Sequence, residues 1–141
     1  AAPAPALKAQ VNTQVQISTQ PSPFDVREAF QSFLRQTQMR QWSEAQRAAD
    51  QIAAALGSGH VMALRAQAYL ALQQDDLPRA RSQYLQLQQA LPEDREAGLN
   101  LALIEWRSGD RDAAANRLVG LVQRFPNDPQ IQALSQNVRA Q

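Results

Sequence analysis

The chain resembles itself after a displacement of about 34 residues, and this internal repeat limits its fold more than any other feature. Small, apolar and turn-forming residues coincide between the two copies. The coinciding pairs are Ala68 with Ala102, Asp76 with Asp110, Ala80 with Ala114, Tyr84 with Leu118, Leu87 with Leu121, Leu91 with Phe125, Pro92 with Pro126 and Asp94 with Asp128. Because only packing and turn positions are kept, the pattern predicts stacked units that share an apolar interior.

A weaker copy precedes these two. Phe30 precedes Leu64 by one repeat length, whereas Ala45 precedes Ala80 by one residue more than that length. We therefore expect one extra residue in the turn that joins the first two helices of the chain.

Composition and spacing favour helix from residue 25 to the end of the chain. The sequence contains 25 Ala and 22 Gln in 141 residues, and both are good helix formers. Apolar residues recur at helical spacing between capping residues, with Asp25 and Ser43 as the first two expected N-caps. The expected helices lie at about 26–40, 44–56, 60–73, 77–90, 94–108, 111–124 and 129–139. In the last helix we expect Ile131, Leu134 and Val138 to face inward.

The repeat resembles the tetratricopeptide repeat family. That family keeps a small residue in the first helix of each pair, Gly in the turn, Ala and a large apolar residue in the second helix, and Pro after it. The copy at 61–94 has Ala68, Asp75, Ala80, Tyr84 and Pro92 there, and the copy at 95–128 has Ala102, Gly109, Ala114, Leu118 and Pro126. The first copy departs from the pattern, with Leu34 at the small position and Gly57 at the Pro position. The resemblance implies an all-α fold, a short right-handed α-solenoid of about three helix pairs closed by a C-terminal capping helix.

The resemblance also implies where a partner binds, because the first helix of each pair lines the inner surface of such a solenoid. The expected partner-binding residues are Arg35 in the first copy, Met62, Arg65, Tyr69, Leu72 and Gln73 in the middle copy, and Leu99, Leu103, Trp106 and Arg107 in the last. Aromatic residues and Arg are frequent at binding hot spots, and Trp106 is the largest of the set. Packing of Trp106 against the terminal helix is an alternative of equal weight.

The residues offer little for catalysis or metal binding. The chain has no Cys and one His, which excludes disulfides, thiolate metal sites and multi-histidine metal sites. His60 stands in a turn where no catalytic triad is implied. The carboxylate pairs Asp75-Asp76 and Glu93-Asp94 stand at helix starts, where negative side chains act as caps. We therefore expect a protein that is not an enzyme and has no cofactor.

Charge and hydropathy restrict the partners. The chain has 14 Lys+Arg and 13 Asp+Glu, a formal net charge of +1, which argues against a broad nucleic-acid-binding surface. No apolar run approaches the roughly 18 residues that a membrane helix requires. We expect a protein or peptide partner, no nucleic acid, and no membrane insertion by these residues.

Residues 1–24 differ from the rest and are assigned to a tail, while 25–141 are assigned to the helical repeat domain. The opening AAPAPALKAQ has the composition of an extended linker. Val11, Thr13, Val15 and Ile17 then alternate with polar residues, which is the pattern of a strand. This segment is interpreted either as a disordered polar tail or as a strand that pairs with the sheet edge of another chain.

The tail composition and the Gln-, Ala- and Arg-rich repeats resemble the soluble portions of bacterial type IV pilus and secretion assembly proteins. This resemblance implies an interaction scaffold in the bacterial envelope, periplasmic or membrane-anchored, with the cytoplasm as the alternative location. The start at Ala1 without Met is expected of a processed or trimmed chain. Two other functions stay open. One is a self-associating module that forms a homodimer through its N-terminal segment or an open repeat face, and the other is a regulatory domain of a larger protein.

Overall fold

The computed structural model describes residues 24–140, which fold into seven α-helices with no strand among them. The helices are α1 (Val26–Gln38), α2 (Trp42–Leu56), α3 (Val61–Gln73), α4 (Leu77–Ala90), α5 (Arg95–Arg107), α6 (Arg111–Arg124) and α7 (Pro129–Ala140). The all-α class is therefore confirmed for this part of the chain. The strand expected at Val11, Thr13, Val15 and Ile17 lies outside the described residues.

Three turns, those joining α1 to α2, α3 to α4 and α5 to α6, share one backbone conformation. Arg40, Asp75 and Gly109 have positive φ angles of 60°, 60° and 88°. In the same turns the amides of Gln41, Asp76 and Asp110 donate to the carbonyls of Gln36, Ala71 and Glu105, at 2.8, 2.9 and 2.9 Å. This is the Schellman ending, which satisfies carbonyls that the helix leaves free. The repeat is thus a repeat of backbone geometry even where the side chains differ.

Side chains that accept backbone hydrogen bonds hold the starts of most helices. The carboxylates of Asp25, Asp76, Asp94 and Asp110 accept from the amides of Glu28, Arg79, Ala97 and Ala113 at 3.0–3.3 Å. Asp128 accepts from the amides of Gln130 and Ile131, and Nδ1 of His60 accepts from Met62. Each bond satisfies an amide that has no partner within its own helix.

The start of α2 differs from the prediction. Ser43 lies inside this helix, which begins at Trp42 after Gln41, and Gln41 makes no side-chain capping bond. The amide of Gln41 is already bonded to the carbonyl of Gln36 in the Schellman turn, so the chain enters α2 directly.

The extra residue of the first copy lies in α2, and its expected position in the first turn is wrong. Arg40 and Asp75, the left-handed residues of the first two such turns, are one residue farther apart than Asp75 and Gly109. The starts of α1 and α3 show the same longer spacing, so the extra residue lies after the first turn. Helix α2 has 15 residues, whereas α4 and α6 have 14 each. Helix α1 therefore matches α3 at this longer offset, which places Phe33, and not Leu34, at the position of Ala68.

Three clusters of buried side chains form the interior of residues 24–140. The first cluster joins α1, α2 and α3 around Phe33 and Ile52. The second joins α3, α4 and α5 around Tyr84 and Leu101, and the third joins α5, α6 and α7 around Leu118. Each fully buried large apolar side chain stabilises the fold by roughly 1.5–3 kcal/mol. Helices α3 and α5 each belong to two clusters and so connect the interior from end to end.

The residues that the repeat predicts at helix contacts lie there. Ala80 is fully buried in the second cluster and Ala114 in the third. The expected inward face of α7 is confirmed, because Ile131, Leu134 and Val138 are all buried. Each helix packs against the next one along the chain, and α1 also contacts α3 while α5 contacts α7. Among the described helices, none combines the length and apolar character that crossing a membrane requires.

Candidate partner-binding surface

The predicted binding residues of α3 and α5 occupy equivalent positions, because the two helices begin one repeat apart. Arg65 corresponds to Leu99, Tyr69 to Leu103, Leu72 to Trp106, and Gln73 to Arg107. We call these positions, together with Met62 and their matches in α1, the first-helix face. It extends over three helices and packs on all three clusters.

Arg35 does not correspond to these positions. It is exposed on α1, and at the longer offset of the first copy it matches Leu70, which is buried. The true counterparts of Arg65 and Tyr69 are Phe30 and Leu34, both half-buried against the first cluster.

From the sequence alone these two residues were not placed on the first-helix face, because an extra residue was expected in the first turn and this shifted the register of α1. The signal that gives the correct register is the longer spacing between Ala45 and Ala80. Applied to α1 as well as α2, it places Phe30 and Leu34 on the face.

Aromatic side chains dominate the part of the face between α1 and α3. The half-buried ring of Tyr69 meets Phe33 edge to face, with ring centroids 6.4 Å apart and an interplanar angle of 69°. Phe30 lies against Phe33 in turn, at 5.6 Å between centroids. Such contacts add about 0.5–1.5 kcal/mol beyond area burial. The Tyr69 ring is therefore held in place while part of its surface faces solvent.

The α5 part of the face is aliphatic, with one indole. Leu99, Leu103 and Trp106 are half-buried against the third cluster, which includes residues of α7. Trp106 therefore packs on the cluster of the terminal helix and also presents part of its ring to solvent. Leu72 is 6% exposed and belongs to the second cluster, so it contributes to the interior more than to the surface.

An ion-pair triad crosses the face from α3 to the start of α5. The Arg65 guanidinium donates to both carboxylate oxygens of Asp94, at 2.9 and 3.1 Å, and to Oε2 of Glu96 at 2.9 Å. Asp94 also accepts from the amide of Ala97 and so caps α5. Arg65 is thus held by two carboxylates and ties α3 to α5.

Pairing and burial shift the pKa values in this triad in different directions. The bond to Asp94 raises the pKa of Arg65, and the same bond lowers the pKa of the Asp94 carboxyl. Burial raises the pKa of Glu96, because its loss of hydration outweighs its attraction to Arg65. Glu96 is the more weakly held acceptor and keeps 35% of its side chain exposed.

The last turns of α3 and α5 carry the polar end of the face. Gln73 and Arg107 are both exposed there, beside the Schellman turns. His60, the one imidazole, uses Nδ1 to cap α3. No group of three or more His, Cys, Asp or Glu side chains within residues 24–140 is placed to hold a metal ion. The arrangement offers partly exposed aromatic and apolar side chains beside a fixed ion pair, a combination suited to contact with another polypeptide.

No protein-family model matches the chain, and no curated protein matches it either.

Proposed function

We propose that this chain is a non-enzymatic protein–protein interaction module of the tetratricopeptide type, which binds a partner protein or peptide along the first-helix face. The observation that carries the proposal is a row of half-buried apolar side chains on α1, α3 and α5, in which Leu34, Tyr69 and Leu103 occupy matching positions. The row comprises Phe30, Leu34, Met62, Tyr69, Leu99, Leu103 and Trp106. Partly exposed aromatic side chains on a rigid support are the residues that contribute most to binding energy in protein interfaces.

The repeated turns support a short α-solenoid of right-handed tetratricopeptide type. Arg40, Asp75 and Gly109 hold the same left-handed conformation in successive copies of the repeat. The caps at His60, Asp94 and Asp128 recur at equal intervals along the chain. Units with equivalent ends stack on one another and leave one surface of each first helix for a ligand.

The Arg65 triad favours a partner with basic or amide donors. It contains one cation and two carboxylates, and the Arg65 guanidinium already has partners on both sides. Glu96, which is partly exposed, is the acceptor that a partner can reach. A Lys, Arg or backbone amide of the partner placed there would bond to the carboxylate and offset part of its burial.

The proposal includes a place in a bacterial envelope assembly such as a pilus or secretion system, and this part rests on the composition of the tail and of the Gln-, Ala- and Arg-rich repeats. A periplasmic or membrane-anchored location accommodates a chain without Cys as well as the cytoplasm does. Cell fractionation of the native host tests this part, and recovery of the full-length protein only from the cytosol would refute it.

The binding site is tested by capture of partners from the native host's envelope fraction with residues 1–141, followed by titration of the captured partner. We expect Tyr69→Ala and Trp106→Ala each to weaken binding by at least about 1 kcal/mol, roughly fivefold in Kd. Trp42→Ala is the matched control, because Trp42 is also half-buried on the first cluster but lies on α2. Circular dichroism melts identify variants that stay folded. Unchanged affinity in folded Tyr69 and Trp106 variants would remove the first-helix face from the proposal.

A further inference from the structure

A second apolar surface lies between α6 and α7, the last two helices of the described chain. It is a groove of about 310 Å³, and we call it the end groove. Its lining consists of Ala115, Leu118, Val119, Val122, Gln123, Ser135, Val138 and Arg139. Val119 is 60% exposed, and it adjoins the other apolar residues of this lining. The one charged group of this lining is Arg139.

The molecule shows what fills the corresponding position one repeat earlier. The equivalent groove one repeat earlier lies between α4 and α5, because α4 corresponds to α6 and α5 to α7. Helix α6 covers that groove and packs on α5. Arg117 of α6 donates to Glu105 of α5 at 2.8 Å and to Gln88 of α4 at 3.1 Å. Helix α6 therefore covers Glu105 and reaches both α4 and α5, and Glu105 is only 6% exposed.

The matching residues on α6 and α7 have no such cover from the described chain. Glu105 corresponds to Arg139, and Gln88 corresponds to Val122. Among residues 24–140, α7 packs only against α5 and α6, and Arg139 is exposed. The charge is thus inverted at the same place in the repeat, and the neighbouring position on the preceding helix has become apolar.

We infer that the end groove binds an amphipathic helix of a partner protein, in the position that α6 takes on α4 and α5. The partner helix carries a carboxylate where α6 carries Arg117, so that it pairs with Arg139, and apolar residues that contact Val119 and Val122. Burial of these two valines supplies the apolar part of the contact, and the reversed ion pair fixes the register.

The last turn of α7 is fixed for such a contact. The Arg111 guanidinium donates to the carbonyls of Val138 and Arg139, at 2.8 and 3.0 Å. These bonds occupy carbonyls that would otherwise oppose a carboxylate at the helix end, and they add a second positive charge beside Arg139. The site is thereby suited to an acidic helix.

Charge selects the occupant. Arg139 is the charged residue of the lining, and the Arg111 guanidinium lies beside it. The end groove therefore favours a partner helix that carries a carboxylate.

The chain itself supplies the probe for the test. A stapled, fluorescent helical peptide with the sequence of residues 110–125 and the change Arg117→Glu should bind the 141-residue protein, as measured by fluorescence anisotropy. The same peptide with Arg at 117 should bind at least tenfold more weakly. In the Arg139→Glu protein the preference should reverse, because the pair is then restored in the orientation found between α5 and α6.

Two further variants locate the site. Val119→Asp should weaken binding of the Arg117→Glu peptide at least tenfold, whereas Met39→Asp, a change at an equally exposed apolar residue far along the chain, should leave it unchanged. Absence of saturable binding by either stapled peptide would overturn the proposal, and so would binding that ignores Val119→Asp or the charge exchange. Sedimentation that reveals a dimer abolished by Val119→Asp would also overturn it, since the occupant would then be a second copy.

Discussion

Leu121 lies so close to Gly98 that a Cβ atom at position 98 would stand 2.7 Å from Cδ2 of Leu121. Both residues are buried, and Leu121 has no exposed surface. Helices α5 and α6 therefore make a close approach at Gly98, where a larger residue would have to displace the Leu121 side chain, and the φ angle of Gly98 imposes no further restriction. Such a requirement can be separated from helix propensity by comparison with a glycine in the same setting but without the contact.

Gly120 provides that comparison, because it also lies inside a helix and a Cβ there would meet nothing within 4 Å. Gly120→Ala should raise the free energy of unfolding by about 1 kcal/mol through helix propensity. Gly98→Ala gains the same propensity but must displace Leu121, and overpacking of a core costs about 1–3 kcal/mol. Urea denaturation should therefore find Gly98→Ala at least about 1 kcal/mol less stable than Gly120→Ala. Equal stabilisation by both changes would show that Leu121 moves aside without cost, which would contradict the expected overpacking.

The left-handed turn residues predict a second difference between glycines. Gly109 has a φ of 88°, whereas Gly59 has no positive φ and open space around it. Gly109→Ala should lower the free energy of unfolding by about 1–2 kcal/mol, because a Cβ disfavours the left-handed conformation. Gly59→Ala should change it by less than about 0.5 kcal/mol. Thermal melts of the two variants check this, and equal melting temperatures would contradict the Schellman geometry at Gly109.

The ion pair between α5 and α6 predicts a loss that a double substitution repairs. Glu105 is nearly buried and receives two hydrogen bonds from Arg117. Arg117→Met removes the partner of a buried carboxylate and should destabilise the protein by about 3 kcal/mol. Arg81→Met is the control, since Arg81 is exposed, and should cost less than about 0.5 kcal/mol.

The double variant Glu105→Leu with Arg117→Met removes both charges from that contact. We expect it to recover most of the lost stability, because apolar side chains need no compensating partner there. Chemical denaturation of the single and double variants measures the coupling. A double variant as unstable as Arg117→Met alone would show that the pair is not the cause.

Two carboxylates predict opposite pH effects. Arg95 holds the pKa of Asp128 at about 2, below the ordinary value near 3.9. The ionised Asp128 side chain therefore contributes its full stability above about pH 4, and this contribution is lost as the pH falls from about 4 to 2. The pKa of Glu96 is raised by burial, so its ionisation removes stability as the pH rises through its folded pKa. From pH 3 to pH 7, Asp128→Asn should become less stable relative to the wild type, and Glu96→Gln should become more stable relative to it. Urea midpoints across this range give both signs, and parallel curves would contradict the assignment.

The sequence predicted the helices well wherever a cap and a turn marked both ends. Asp94 and Asp128 define starts that matched the structure within a residue, because a carboxylate at an N-cap has one geometry and a periodic apolar pattern follows it. The start of α2 was missed because the Schellman turn, and not a side chain, determines it. Sequence patterns carry little signal for a turn whose left-handed residue is Arg40.

The register of α1 was predicted less well than the bounds of the helices. The extra residue of α2 falls in a run of small residues, where no landmark shows which alanine is added, and the register of Arg35 was lost with it. The end groove was not predicted at all. Leu118 and Val119 are adjacent apolar residues of one helix, and only packing decides that the first is buried and the second exposed. Sequence patterns therefore identify helices more readily than they identify which faces of those helices stay exposed.

Helix α3 joins the first cluster to the second, and α5 joins the second to the third, so the three clusters have no common centre. This arrangement has a mechanical consequence. If the molecule were stretched between its ends, we expect α1 with α2 and α6 with α7 to detach first, because they are the terminal helices and each belongs to a single cluster. Each rupture would release a limited length of chain and leave the neighbouring contacts whole. We expect such a protein to extend under tension in steps, with one terminal helix pair detaching at a time.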